Sequence, residues 1–500
     1  MTGSTFQILE RGQIREIKKS IAKVTGLYHG MNGQLLEISN DIKGMIMGFT
    51  REEALVLLLG KTEEAKIGQT VYNRRETFRI PVGDAFIGRV VTALAESCDG
   101  KGPVIDGKDP TATTYPIFRE APGVLDRIPI TEVFETGALM IDASVPIGKG
   151  QRELIIGDRM TGKTTLCVDT ILHQKGKGVI CIYCCIGRSF ASLKKIAGIF
   201  QDAAAMDYTI IVSATASASA GEQYLAPYTA CAIGEYFMDR GKHVFIVYDD
   251  LTKNAWAYRQ LSLLLERSPG RDAYPGDIFY IHSQLMERAG KYKPERGAGS
   301  MTFFPIVDAL QGDITGYVPS NLVSMTDGQI YLSSALFNSG VKPAVDLGLS
   351  VSRIGNKVQS PAMKELSGML RLQYLQYTEL LKLTRFKASL SDETRQQLAF
   401  GDRIARLFIQ DKNRPRPLAE ELFFLYALSR GVLKNLTLDQ VDHFKEQVLA
   451  YGKREFKEVV EELSLGKKLT PEFREKLDGC LNSFCEKAFP KKLEEAHASP

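Results

Sequence analysis

The stretch Gly157-Asp158-Arg159-Met160-Thr161-Gly162-Lys163-Thr164 constrains this protein more than any other. The pattern G-x-x-x-x-G-K-[ST] works only as a loop between a buried strand and a helix. At these residue frequencies it arises by chance ~0.03 times, so the flanking sequence matters. Glu153–Ile156 reads as the strand before the loop, and Thr164–Gln174 as the helix after it. Glycines in such a loop let several backbone N–H groups converge on a string of phosphates. Lys163 then neutralises the outer phosphates, and the Thr164 hydroxyl ligates Mg²⁺.

A second element complements the first. His243–Tyr248 is an apolar strand that runs into Asp249-Asp250. A phosphate-binding loop needs a carboxylate at the tip of a neighbouring strand for the metal's water shell, and Asp249 suits that role. An acid after an apolar strand is common, so Asp249 counts only together with the loop. Other features take their ordinary reading. Cys181-Ile182-Tyr183-Cys184 has zinc or redox spacing but lies inside an apolar strand with no partner pair, so these are core thiols. The six histidines (His29, His173, His243, His282, His443 and His497) lack metal-ligand spacing. Gly176-x-Gly178 lacks the third glycine of a dinucleotide fingerprint.

The rest of the sequence falls into three parts. Residues 1–82 hold short runs at Gln34–Ile38, Ile42–Phe49, Ala54–Leu59 and Thr70–Tyr72, punctuated by glycines, with Asn32-Gly33 as a hairpin turn signal. They predict a small β-barrel of the six-stranded type. Residues 83–360 alternate buried strands (Glu153–Ile156, Val179–Ile186, Thr209–Val212, His243–Tyr248) with helices such as Ala226–Arg240. That alternation predicts a mostly parallel sheet covered by helices, an α/β domain of RecA-like P-loop type. Residues 361–500 predict a helical bundle. Thr437 and Gln440 have capping-box spacing ahead of Val441, Phe444 and Val448. Phe456, Val459, Val460 and Leu463 form a second stripe, and Thr470-Pro471 opens a helix carrying Phe473, Leu477, Leu481 and Phe484.

Composition excludes several classes. With 63 Lys+Arg against 59 Asp+Glu, the charge balance argues against a dedicated nucleic-acid binder. No run reaches the ~18 apolar residues of a membrane span, and no signal peptide stands at the amino terminus. The eight cysteines therefore read as reduced thiols.

At this point the sequence resembles the alpha-subunit family of the F-type ATP synthase. The matching stretches are GDRMTGKTT (157–165), QYLAPYTACAIGEYF (223–237), the segment 247–291, NLVSMTDGQIYL (321–332) and PAVDLGLSVSRIG (343–355). The resemblance covers roughly residues 11–450, with barrel, nucleotide-binding part and helical bundle in the family's order. It implies a peripheral subunit at the cytoplasmic face of a bacterial inner membrane. Three alpha and three beta subunits would alternate in a ring around a central-stalk gamma subunit, held by a peripheral stalk and coupled indirectly to a membrane sector that carries H⁺ or Na⁺.

The resemblance also assigns roles. The alpha subunit binds ATP or ADP with Mg²⁺ through Gly157–Thr164 and Asp249 but leaves catalysis to beta. In the catalytic relative, the strand after the P-loop helix ends in Gly-Glu, whose carboxylate orients the attacking water. Here it ends in Gly187-Arg188, and Arg cannot take a proton from water. Family alpha subunits carry Gln there, so Arg188 is a departure. Arg353 is the implied arginine finger for the neighbouring beta site, with Ser350 the other position required for activity. Gln410 matches the first glutamine of the family's adenine-binding Gln-x-Gln, while Lys412 replaces the second. The family's amino-terminal helical extension is expected to be missing or shortened, with a different stator attachment. Arg385–Ser391 differs from the family's rotor-facing loop. The competing reading is a self-sufficient hexameric P-loop motor of the secretion-ATPase or RNA-helicase type, which needs the water-orienting carboxylate that Arg188 displaces.

Overall fold

The computed structural model describes residues 10–105, 113–384 and 391–489. The Arg385–Ser391 segment therefore lies, except for Ser391, outside the described residues, as does His497. Two compact units emerge: Met1–Pro129 with Lys149–Ile156 and Gln174–Asp327, and Ile130–Gly148 with Gly157–His173 and Gly328–Pro500.

The first unit opens with six strands: β1 (Glu10–Lys18), β2 (Ile21–Thr25), β3 (Gln34–Glu37), β4 (Ile42–Phe49), β5 (Glu53–Gly60) and β6 (Thr70–Thr77). They close into a barrel in the order β1-β2-β5-β4-β3-β6. Closure leaves no unpaired edge, and alternate residues such as Ile14, Val24, Leu36, Ile46, Val56 and Val71 fill the interior. The barrel is the one expected, but the Asn32-Gly33 turn works differently. Gly33 has a φ of +82°, yet β3 pairs with β4 and β6 rather than with β2. The turn thus starts a strand without joining a hairpin.

The same unit holds a sheet built on β7 (Val90–Thr92), β8 (Glu153–Gly157), β9 (Val179–Ile186), β10 (Thr209–Ala214), β11 (His243–Asp249) and β12 (Ser300–Asp308). Their order in the sheet is β8-β12-β11-β9-β10-β7, and the β12-β11-β9-β10-β7 pairings are parallel. Cys181, Cys184 and Cys185 are buried within β9, and all eight cysteines are free thiols.

The covering helix begins at Ala220, earlier than Ala226, and runs to Met238. Its start is a capping box: Ser219 accepts from Glu222 N, and Glu222 reaches back to Ser219 N. Most of its residues are buried around the whole circumference, which erases the amphipathic period that locates helices in sequence.

Within the second unit, Gly328–Leu332 and Val351–Ser352 form an antiparallel pair. Helices follow at Pro361–Ser367, Leu370–Thr384, Asp392–Phe408, Leu418–Ser429, Leu438–Glu455, Lys457–Ser464 and Pro471–Ala488. The expected Thr437/Gln440 capping box is present, with Gln440 N donating to Thr437 Oγ1 at 3.3 Å and Thr437 N to Gln440 Oε1 at 2.9 Å. The apolar stripes at Val441/Phe444/Val448 and Phe473/Leu477/Leu481/Phe484 are buried. Phe456 differs from expectation. Its φ of −135° makes it the break between two helices rather than the start of a stripe. No helix among the described residues is long and apolar enough to cross a membrane.

One ion pair lies deep in the first unit. Arg288 and Glu235 are each 1% exposed and form a two-pronged contact at 2.8 and 2.9 Å. A third Arg288 donor reaches Ile117 O at 2.8 Å. Removing one partner of such a pair strands a charge out of water. Arg288→Met is expected to lower unfolding free energy by about 3–5 kcal/mol, read from urea denaturation of the full-length protein. A loss under about 1 kcal/mol would mean that Arg119, 3.5 Å from Glu235, suffices as counter-ion.

Candidate functional site

The phosphate-binding motif lies in the second unit as a tight loop leading into the helix Lys163–His173. Gly157 has no alternative: a Cβ there would stand 2.3 Å from Leu332 O. Gly162 is needed for a different reason, a φ of +97° in open surroundings. Met160 also takes positive φ, at 64°, and is 90% exposed. The side chain of Lys163 is buried and donates to Gly157 O at 2.7 Å and Asp158 O at 2.6 Å. The ammonium thus lies curled under its own loop, held by carbonyls. Thr161 Oγ1 donates to Asp158 O at 2.8 Å, and Ser334 Oγ to Asp158 Oδ2 at 3.1 Å. Arg159 is exposed and Thr164 half-buried at the helix start. A glycine loop, a helix N-terminus and a buried cation are together the parts of an anion cradle.

Gln410 belongs to the same unit. Its amide nitrogen donates to Gly137 O at 2.7 Å and Arg414 O at 3.0 Å, and its backbone N to Lys342 O at 2.7 Å. Its Oε1 is buried and finds no partner among the described residues. An amide fixed in this way presents one acceptor, suited to an exocyclic amine such as that of adenine. Lys412 is exposed. The loop is tied to the P-loop helix by Asn413 N donating to Asp169 Oδ1 at 2.7 Å, a link that sequence reasoning missed. Burial pushes the Asp169 carboxyl up to about 7, partly offset by the Asn413 N–H.

Ser350 and Arg353 are also in the second unit and differ sharply. Ser350 is fully buried; its hydroxyl donates to Asp346 O at 2.6 Å and accepts from Tyr331 N at 3.0 Å. Arg371, another residue missed in sequence, donates to Ser350 O and Leu347 O at 2.8 Å each. Ser352 Oγ holds Pro146 O at 2.7 Å. Arg353, the next residue, is exposed, and no described residue hydrogen-bonds or ion-pairs with it. A fixed backbone thus carries an uncommitted guanidinium.

In the first unit, β9 and β11 are parallel neighbours with Cys185 opposite Asp249. Beyond β9, Gly187 turns with a φ of +62°, where a Cβ would lie 2.8 Å from Lys253 Cδ. Arg188 then folds back onto Asp249: Nε donates to Oδ1 at 2.8 Å, and Nη2 bonds the same oxygen. Tyr183 Oη donates to Oδ2 at 2.6 Å. Asp249 beside it holds the Arg188 guanidinium firmly charged against the opposing effect of burial. Asp250 caps the helix Leu251–Leu264 through Lys253 N at 2.9 Å, and burial beside Asp249 raises its carboxyl to about 6. Asp249 itself is 0% exposed, and at least three of a carboxylate's roughly four acceptor directions are taken. The expectation that Asp249 holds a metal's water shell does not fit this arrangement, which suits an internal cation. Among the described residues no group of three or more His, Cys, Asp or Glu side chains is placed to hold a metal.

Three family models match the sequence. Residues 10–75 match the ATP synthase alpha/beta family beta-barrel domain, residues 137–352 that family's nucleotide-binding domain, and residues 359–484 the C terminal domain of the ATP synthase alpha/beta chain. The protein is 46% identical over 479 residues to "ATP synthase subunit alpha" of Clostridium botulinum strain Eklund 17B, a match that spans 96% of its own length and 94% of the relative's. Identity to the protein of the same name from Clostridium botulinum strain Hall is 45% over 481 residues, with the same coverage.

The Asp169 carboxyl gives a pH test of how the cradle is assembled. Its folded value of about 7 lies above the ~3.9 of an unfolded Asp. The native state therefore holds the extra proton between those values, and stability falls as pH rises through that window. Asp169→Asn keeps an acceptor for Asn413 N but cannot ionise. It is expected to match the wild type near pH 4 and exceed it by about 1–3 kcal/mol near pH 8, measured by urea denaturation. A pH-independent difference would contradict the assignment.

Proposed function

This chain belongs to the ATP synthase alpha-subunit family, and from that premise we propose that it binds ATP or ADP without turning it over and lends Arg353 to a neighbouring beta subunit. The proposed assembly is a ring of three such subunits alternating with three beta subunits around a gamma stalk, with a peripheral stalk and an ion-carrying membrane sector. It would stand at the cytoplasmic face of a bacterial inner membrane and use an ion gradient to make ATP from ADP and phosphate. Barrel, nucleotide-binding and helical parts divide near residues 82 and 360 in this reading.

The observation that carries the proposal is the contrast between two arginines. Arg188, where the hydrolytic relative has its water-orienting Glu, is turned inward onto Asp249. Arg353 is turned to solvent with no partner among the described residues. A site without a group to position water binds nucleotide but does not hydrolyse it. A guanidinium waiting at a surface stabilises charge on a transferring phosphoryl group only when another subunit's site closes over it. Ser350 then acts as a positioning residue, because its hydroxyl is committed to Asp346 and Tyr331.

Nucleotide contacts follow the same logic. Gly157, Asp158, Arg159, Met160, Thr161, Gly162, Lys163 and Thr164 form the phosphate cradle, in which Lys163 exchanges its two carbonyl partners for phosphate oxygens. Gln410 offers Oε1 to the base. Of the two metal positions that the resemblance implies, Arg188's hold on Asp249 leaves Thr164. The self-sufficient motor is the weaker reading for the same reason, since it needs a base where Arg188 sits.

In a reconstituted complex, Arg353→Lys is expected to depress multi-site turnover by about 10³-fold or more, while ATP binding to this subunit is retained. Lys keeps the charge but loses the fork. Turnover like the wild type would remove Arg353 from the catalytic site.

A further inference from the structure

A cavity of about 320 Å³ opens in the second unit where the helices Asp392–Phe408, Leu418–Ser429 and Leu438–Glu455 meet the segment 409–417. Arg406, Arg414, Arg416 and Lys445 line it. Arg406 is accounted for, since its Nε donates to Asp442 Oδ1 at 2.9 Å and Oδ2 at 2.8 Å. The other three cations are not neutralised in that way.

Arg416 is 7% exposed. Its Nη2 donates to Ile409 O at 3.0 Å, and its Nε stands 4.0 Å from Glu420 Oε1, beyond a hydrogen bond. Its Nη1 is buried with no partner among the described residues, a costly state for a charged group out of water. Lys445 reaches from its own helix to the end of Asp392–Phe408, where Nζ donates to Arg406 O and Ile409 O at 2.9 Å each. That uses two of an ammonium's three donors, and Asp442 Oδ1 lies 3.7 Å away. Burial, and after it the charge of Arg416, push the Lys445 ammonium down to about 8. Of the acids that line the cavity, Asp411 and Glu446 are exposed and Asp442 is committed to Arg406, which leaves Glu420. Two largely buried cations therefore share one carboxylate.

We propose that this cavity is a binding site for a small tetrahedral oxyanion, of which inorganic phosphate is the simplest. One oxygen of the anion accepts from Arg416 Nη1, and the others meet Lys445 and the exposed Arg414. Bringing an anion there satisfies the buried donor and the uncompensated charge in one step. Three cationic side chains are more than the two oxygens of a carboxylate can meet, and suit the tetrahedral set of a phosphate. Every residue of the site lies in one unit, and the assignment is independent of whether nucleotide binds at the P-loop.

The test is equilibrium dialysis of radiolabelled inorganic phosphate against the full-length protein carrying Lys163→Ala, which silences the P-loop cradle, in about 0.1 M chloride. About one phosphate per chain is expected, with a dissociation constant of about 1 mM or tighter. Adding Arg416→Met is expected to weaken binding by about tenfold or more, and adding Lys445→Gln instead by about threefold or more. Unlabelled acetate is expected to displace far less label than the same concentration of unlabelled phosphate. Absence of saturable phosphate binding to the Lys163→Ala protein overturns the proposal, whether or not the further variants fold. Binding left unchanged by both further substitutions also overturns it. Acetate that displaces as well as phosphate does would assign the cavity to carboxylates, against the proposal.

Discussion

The contact between Arg188 and Asp249 governs how the rest of the site reads. A carboxylate at a buried strand tip cannot stay ionised alone, and whichever cation meets it sets what the site can do. A hydrated metal beside a carboxylate base makes a hydrolytic centre. A guanidinium commits the carboxylate to an ion pair and, on the proposed reading, stands where a hydrolytic relative has its base. The protein keeps the glycine loop, the lysine and the helix N-terminus that grip phosphate. On the proposed reading, gripping phosphate and turning it over are separate properties, and this protein has kept the first.

On the same proposal, the outward arginine serves another subunit's site. Arg353 follows a two-residue strand held by Gly328–Gln329, by Ser352 on Pro146 and by Arg371 on Ser350. Side-chain entropy opposes any finger that must first be ordered, and a fixed backbone lowers that cost before a partner arrives. Under the proposal Ser350 acts through position: its buried hydroxyl is committed to Asp346 O and Tyr331 N just before the strand from which Arg353 leaves.

Much of this was legible in sequence because local chemistry is rigidly encoded. The P-loop glycines, the Thr437/Gln440 box and the stripes at 441–448 and 473–484 each demand one backbone geometry. Legibility failed where tertiary context decides. The helix Ala220–Met238 is buried around nearly its whole surface, so no periodicity betrays its start, although Ser219-x-x-Glu222 was a readable cap. Asn32-Gly33 signalled a turn correctly but not which strands it serves, because barrel closure sets the pairing. Tyr183, Asp169 and Arg371 were silent because each acts on a residue far away in sequence. The acid at 249 and the arginine at 188 were both visible; that they neutralise each other was not, since only parallel pairing of β9 and β11 brings them together.

The central claim is that this protein holds a triphosphate and has nothing to direct water at it. It is tested most directly by phosphate release from the isolated full-length subunit with ATP and Mg²⁺, beside Lys163→Ala as control. The account predicts release no faster than the control. Sustained turnover of about 1 s⁻¹ or more, abolished by the Lys163 substitution, would contradict it.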